Sequence, residues 1–95
     1  MAQFALMCFD KPDSLALRMA TREAHFAYGR ATPGVVRLGG PFLNDAGEMI
    51  GSLIIIEATD LAAARAWHDA DPYKLAGLFQ RVELLPWRST FGEAP

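Results

Sequence analysis

Met49-Ile50-Gly51-Ser52-Leu53-Ile54-Ile55-Ile56-Glu57-Ala58 carries an unbroken aliphatic run at its centre. A strand resting on one core alternates apolar and polar residues, whereas this one is apolar on both faces, the pattern of a strand covered on two sides. Phe4-Ala5-Leu6-Met7-Cys8-Phe9 has the same character. Two such strands belong in the centre of a sheet.

The rest of the chain falls into place around them. Lys11-Pro12-Asp13-Ser14 breaks the first strand and offers Asp13 or Ser14 as an N-cap. A helix follows from Leu15 to about Arg30, with Leu15, Met19 and Phe26 at helical spacing, and Thr32-Pro33-Gly34 ends it. Val35 to Leu38 reads as a short strand running into Gly39-Gly40-Pro41, and Asn44-Asp45-Ala46-Gly47 supplies a turn before the third strand. Thr59-Asp60 caps a second helix whose Ala-rich stretch runs through Trp67. Asp71-Pro72 interrupts it, because a residue before proline is pushed out of the α region. A short helix from Tyr73 to Phe79 and a last strand from Arg81 to Arg88 complete the order, with Pro86 marking an edge.

The order βαββαβ within 95 residues is the ferredoxin-like α+β plan, a four-stranded antiparallel sheet with its first and third strands central. One domain over residues 1–95 is expected at this length. Two helices cover one face of such a sheet, yet the central strands are apolar on both. A second copy is the simplest cover for the other face, so the expected assembly is a homodimer with its sheets face to face.

Hydrophobic residues make up 52% and charged residues 21%, which excludes a disordered chain. Nine basic against eleven acidic residues give a charge of −2 and a pI near 5.5, without the basic footprint of a nucleic-acid binder. Leu53–Ile56 is too short to span a bilayer. No basic segment and cleavage site of a secretory leader is present in residues 1–15. Cys8 alone makes neither an internal disulfide nor a cysteine-based zinc site. A cytoplasmic protein without membrane contact, metal or cofactor is the expectation.

Arg22 and His25, three apart, lie on one helix face. Histidine suits proton transfer near neutrality, and arginine suits a carboxylate or phenolate; the same pair also fits a plain solvated face. Asp71 ahead of Pro72 is a helix-start signal, and its carboxylate has a second oxygen with which to orient an imidazole. Tyr73 either donates to a substrate or packs. Gly40 and Pro41 allow close backbone approach to a pocket, without the pattern of a phosphate loop. His68, beside Trp67, reads as a surface residue, and Cys8 as an inert buried thiol.

These features together resemble the YciI-like (YCII-related) proteins over nearly the whole chain. The resemblance rests on Asp10-Lys11 with Asp13-Ser14-Leu15, Arg22 with His25-Phe26, Gly40-Pro41, Gly51-Ser52, and Ala66-Trp67 followed by Asp69-Ala70-Asp71-Pro72-Tyr73 and Ala76-Gly77. It implies a dimeric α+β barrel and a cleft with a His–Asp pair, which maps onto His25 and Asp71. Relatives include dehydrochlorinases of chlorinated hydroxyhydroquinones, and the wider barrel group includes muconolactone isomerases. Members often carry proline after the arginine; here Glu23 stands there, in a place to pair with Arg22.

Three readings remain open. One is a cofactor-independent lyase or isomerase, dehydrochlorinase-like, acting on a hydroxylated aromatic or enolic substrate. In it His25 is the general base, Asp71 its orienting partner, and Arg22 or Tyr73 the oxyanion stabiliser. Another is a non-catalytic dimer binding a small anionic metabolite. The last makes His25–Asp71 a structural tie between the helices.

Overall fold

The computed structural model describes residues 1–93; Ala94 and Pro95 of the expected domain lie outside the described residues. The elements are β1 (Ala2–Asp10), α1 (Leu15–Ala31), β2 (Val36–Leu43), β3 (Met49–Ala58), α2 (Leu61–Asp69), α3 (Pro72–Leu75) and β4 (Phe79–Trp87). They form one four-stranded sheet in the order β2-β3-β1-β4. Neighbouring strands are antiparallel throughout. The two doubly apolar strands are therefore central, as their composition requires.

Register decides which residues share a face. Phe4, Leu6 and Cys8 pair with Ile56, Ile54 and Ser52. Phe4, Leu6, Cys8, Ile54 and Ile56 form the core with Ala64 and Trp67 of α2 and Leu84 of β4. Helix α2 starts where Asp60 Oδ1 accepts the Ala63 N–H at 2.8 Å. Its C-terminal end is tied to α1: the Tyr28 hydroxyl donates to the Trp67 carbonyl at 2.7 Å, and Trp67 Nε1 donates to Thr32 Oγ1 at 2.9 Å.

The opposite face carries Ala5 and Met7 of β1, Leu53 and Ile55 of β3, and Leu85 and Trp87 of β4. On it Leu38 is 59% exposed and Leu85 50%. Phe9 and Phe42 flank Gly51 there and stack with centroids 5.5 Å apart. A β-carbon at Gly51 would run into the Cys8 carbonyl oxygen and the Phe42 ring, so the strand has glycine where its aromatic neighbours close over it.

Four local expectations are corrected. Strand β2 does not stop at Leu38 but continues through Gly39-Gly40-Pro41 to Leu43. Pro41 is tolerated because β2 is an edge strand, where a missing N–H costs least. Helix α3 ends at Leu75, because Gly77 at φ 74° turns the chain, and Phe79 opens β4 instead of closing the helix. Ser14 occupies the α1 N-cap, but its hydroxyl bonds the Pro12 carbonyl and makes no cap bond.

The fourth correction positions the site. Met19 is half-exposed and outside the cavity, Phe26 is part-exposed at the cavity wall beside Arg22, and the only buried residue of that helix is Arg18. Arg18, Arg22, His25 and Gly29 form a stripe at helical spacing along the cavity described below. Helix α1 thus presents a polar stripe where a purely structural helix would present leucines. Among the described residues no helix is long and apolar enough to cross a membrane.

Candidate functional site

A cavity of about 510 Å³ opens between α1 and the β2–β3 part of the sheet. Arg22, His25, Gly40, Pro41 and Tyr73, five of the residues singled out in the sequence, line it. The sixth, Asp71, stands behind His25 and is 1% exposed.

Asp71 is placed by the break between α2 and α3. It is the N-cap of α3, with Pro72 at the first helical position, and its Oδ1 accepts the Tyr73 N–H at 3.0 Å. The same oxygen lies 2.8 Å from His25 Nδ1. Hydrogen bonds to a charged partner are worth about 1.5–3 kcal/mol, so this contact also ties α1 to α3. Against an ionised carboxylate, which only accepts, a neutral His25 would carry its proton on Nδ1. Nε2 would then be left with a lone pair for the cavity. The His25 ring stacks on Tyr73 with centroids 4.1 Å apart and planes 17° from parallel, which fixes its tilt.

The structure adds a network that the sequence reading passed over. Arg18, 2% exposed, donates through Nε and Nη2 to both carboxylate oxygens of Asp10, at 2.7 and 2.9 Å. Nη2 also donates to Ser52 Oγ at 3.0 Å. The guanidinium carbon sits 4.7 Å from the Tyr73 ring centroid, so one aromatic ring contacts both Arg18 and His25. Burial works against the Arg18 charge, but the Asp10 hydrogen bond and charge outweigh it and hold the group above its ordinary pKa. Removing either partner would strand a buried charge, at a cost of about 3–5 kcal/mol. The spacing of Arg18, Arg22 and His25 at i, i+4 and i+7 was the available signal.

Arg22 reaches the cavity differently from what Glu23 suggested. Its guanidinium lies over Phe26, 4.9 Å from the ring centroid, and no ion pair joins it to Glu23 among the described residues. Adjacent helical residues point to different sides of the helix, which keeps the two apart. Tyr73, 2% exposed, has its hydroxyl pKa raised by burial, with Arg18 and Arg22 pulling the other way. Among the described residues no group of three or more His, Cys, Asp or Glu side chains is placed to hold a metal ion.

The YCII-related domain description matches residues 2–88. The chain belongs to this family. Protein YciI of Escherichia coli O6:H1 is 38% identical, over 93% of this chain and 98% of the relative. An uncharacterised protein of Haemophilus influenzae is 29% identical over the same shares. Among solved structures, the 5-chloro-2-hydroxyhydroquinone dehydrochlorinase TftG of Burkholderia phenoliruptrix AC1100, in complex with 2,5-dihydroxybenzoquinone, matches with a TM-score of 0.84. It is 30% identical over 93% of this chain and 95% of its own. An antibiotic biosynthesis monooxygenase shares the fold at a TM-score of 0.59 and 12% identity.

Two further groups of this YCII-related domain bear on the site. Burial, followed by the nearby Asp71 charge, pushes the Cys8 thiol up to about 12, so it is neutral and unreactive at pH 7. His68 is not a surface residue: it is 3% exposed, stacks on Phe79 at 5.9 Å, and leaves Nδ1 buried without a partner. Its position at the end of α2 turns it inward under the β4 aromatic, which overrides the polar setting beside Asp69.

Burial lowers the His68 pKa below its ordinary value of 6.5, with Asp71 and Asp69 opposing and Lys74 and Arg65 assisting. The unfolded chain therefore binds this proton more readily, and stability is lost as pH falls below about 6.5. Thermal unfolding of wild type and His68→Leu between pH 7.5 and 4.5 is expected to show a smaller acid loss in the variant. Parallel curves would contradict that assignment.

Proposed function

We propose that the cavity is the active site of a cofactor-independent small-molecule lyase or isomerase, dehydrochlorinase-like, acting on a hydroxylated aromatic or enolic substrate. The observation that carries this reading is the His25–Asp71 contact on the wall of a cavity open to solvent rather than in a sealed core. His25 Nε2 takes the substrate proton. Asp71 holds the ring in the matching tautomer and stabilises the imidazolium that forms. Arg22 and Tyr73 face the developing negative charge, while Gly40 and Pro41 let the backbone of β2 approach the substrate plane.

The elimination balances without an external oxidant. Loss of HCl from a chlorinated hydroxyhydroquinone removes two hydroxyl protons and delivers one proton to the carbon bearing chlorine. Chloride leaves with its bonding pair, and a hydroxyquinone remains. A single histidine that accepts and returns protons supplies the required chemistry. The likeness to TftG supports this class of substrate.

The protein that does this is a homodimer. The apolar face bearing Leu38, Leu53, Leu85 and Trp87 is exposed opposite the helices, and a second copy of the same sheet matches it in size and character. We place it in the cytoplasm, where its free cysteine stays reduced.

The alternative of a non-catalytic binder for a small anionic metabolite draws on Arg22 and Arg30, which line the cavity without an acidic partner among the described residues.

Two experiments test the reading. With 5-chloro-2-hydroxyhydroquinone, chloride release by folded His25→Ala is expected to be about a hundred- to ten-thousand-fold slower than wild type. Equal rates in the two proteins would overturn the catalytic role of His25. Absence of product in the wild type, with ligand-induced stabilisation intact, would favour the binder. In sedimentation, the wild type is expected at twice the chain mass and Leu53→Lys/Leu85→Lys at one. A wild-type monomer at all concentrations would refute the dimer.

A further inference from the structure

We infer that Arg18, together with the Tyr73 hydroxyl, forms an oxygen-binding site in the buried wall of the cavity, selective for a single enolic or phenolic oxygen. The inference rests on the proposed function and names the group that receives the substrate's oxygen beside His25.

The donor inventory of Arg18 points there. A guanidinium has five N–H groups. Nε and Nη2 use theirs on Asp10 and Ser52. No hydrogen bond of ordinary length joins Nη1 or the Tyr73 hydroxyl to a described residue, and Arg18 sits close enough to that hydroxyl to draw its pKa down. His68 Nδ1 is nevertheless the only side-chain nitrogen or oxygen that is both sealed from solvent and unpartnered among the described residues. Nη1 and the Tyr73 oxygen are therefore not sealed. Both residues line the same cavity, and each is only 2% exposed, so the space beside these donors is that cavity.

The surroundings make the site specific. Asp10 locks the guanidinium plane with two bonds, so binding requires no reordering of a long side chain. It also pairs the Arg18 charge, so that this group acts on an incoming oxygen chiefly as a hydrogen-bond donor. Such a site fits a hydroxyl, a carbonyl or one oxyanion. Tyr73 contacts Arg18 through its ring face and stacks on His25 at 4.1 Å, so the oxygen site and the imidazole border the same aromatic ring and the same cavity. As His25 removes a proton, charge grows on an oxygen that already faces two donors.

The test uses 2,5-dihydroxybenzoquinone as a coloured probe, titrated into wild type, Arg18→Lys and the double variant Arg18→Met/Asp10→Leu. The double variant replaces the buried pair by apolar groups of similar size, a change that proteins tolerate better than loss of one partner. Wild type is expected to bind saturably. Folded variants are expected to bind at least about ten-fold more weakly, and the bound probe in them ionises at a higher pH. Affinity within two-fold and an unchanged probe spectrum in either folded variant would overturn the role of Arg18 and leave the proposed function standing. Failure of wild type to bind the probe would overturn both.

Discussion

One carboxylate oxygen organises the site. Asp71 Oδ1 accepts the Tyr73 N–H that starts α3 and also holds His25 Nδ1 on α1. The local requirement for a cap at the break before Pro72 thus places a buried acceptor within reach of a helix more than forty residues earlier. Capping and orienting are served by one atom because a carboxylate oxygen accepts more than one hydrogen bond. Tyr73, whose backbone is held by that oxygen, returns the constraint through its ring, which stacks on the imidazole. His25 is therefore fixed both at Nδ1 and across its face.

The second constraint is the inverted polarity of α1. A helix on a sheet ordinarily stabilises the fold by burying an apolar stripe. Here α1 turns Arg18, Arg22 and His25 toward the sheet, and a cavity occupies the space that side chains would fill in a plain core. The fold tolerates this because α2 carries the packing through Ala64 and Trp67. Helix α1 is anchored instead by polar ties at separated points: Arg18 to Asp10 and Ser52, His25 to Asp71, and Tyr28 to the Trp67 carbonyl. Stability is spent on holding a wall open, a pattern expected where a molecule must enter.

The central strands were legible because their double-sided apolar runs admit one place in a four-stranded sheet. The helix starts at Asp60 and Asp71 were legible because capping is local. Strand β2 was not, since Gly39-Gly40-Pro41 reads locally as a turn, and only pairing with β3 shows an edge on which proline is acceptable. His25 and Asp71 stood out through spacing and family resemblance, and their contact spans elements that no local rule connects. Arg18 was visible in the stripe it shares with Arg22 and His25. Its importance depends on Asp10 and Ser52, one at a strand end and one across the sheet, so it emerged only in three dimensions. His68 misled because its polar neighbours in sequence hide the burial under Phe79.

The proposed role of His25 requires an unprotonated Nε2 facing the cavity, with Nδ1–H held by Asp71. The direct measurement is the tautomer of neutral His25, read from long-range proton–nitrogen NMR correlations on the labelled protein. A protonated Nδ1 and a pyridine-like Nε2 are the predicted result. A neutral ring protonated at Nε2 would remove the lone pair from the cavity and contradict the assignment of His25 as the base.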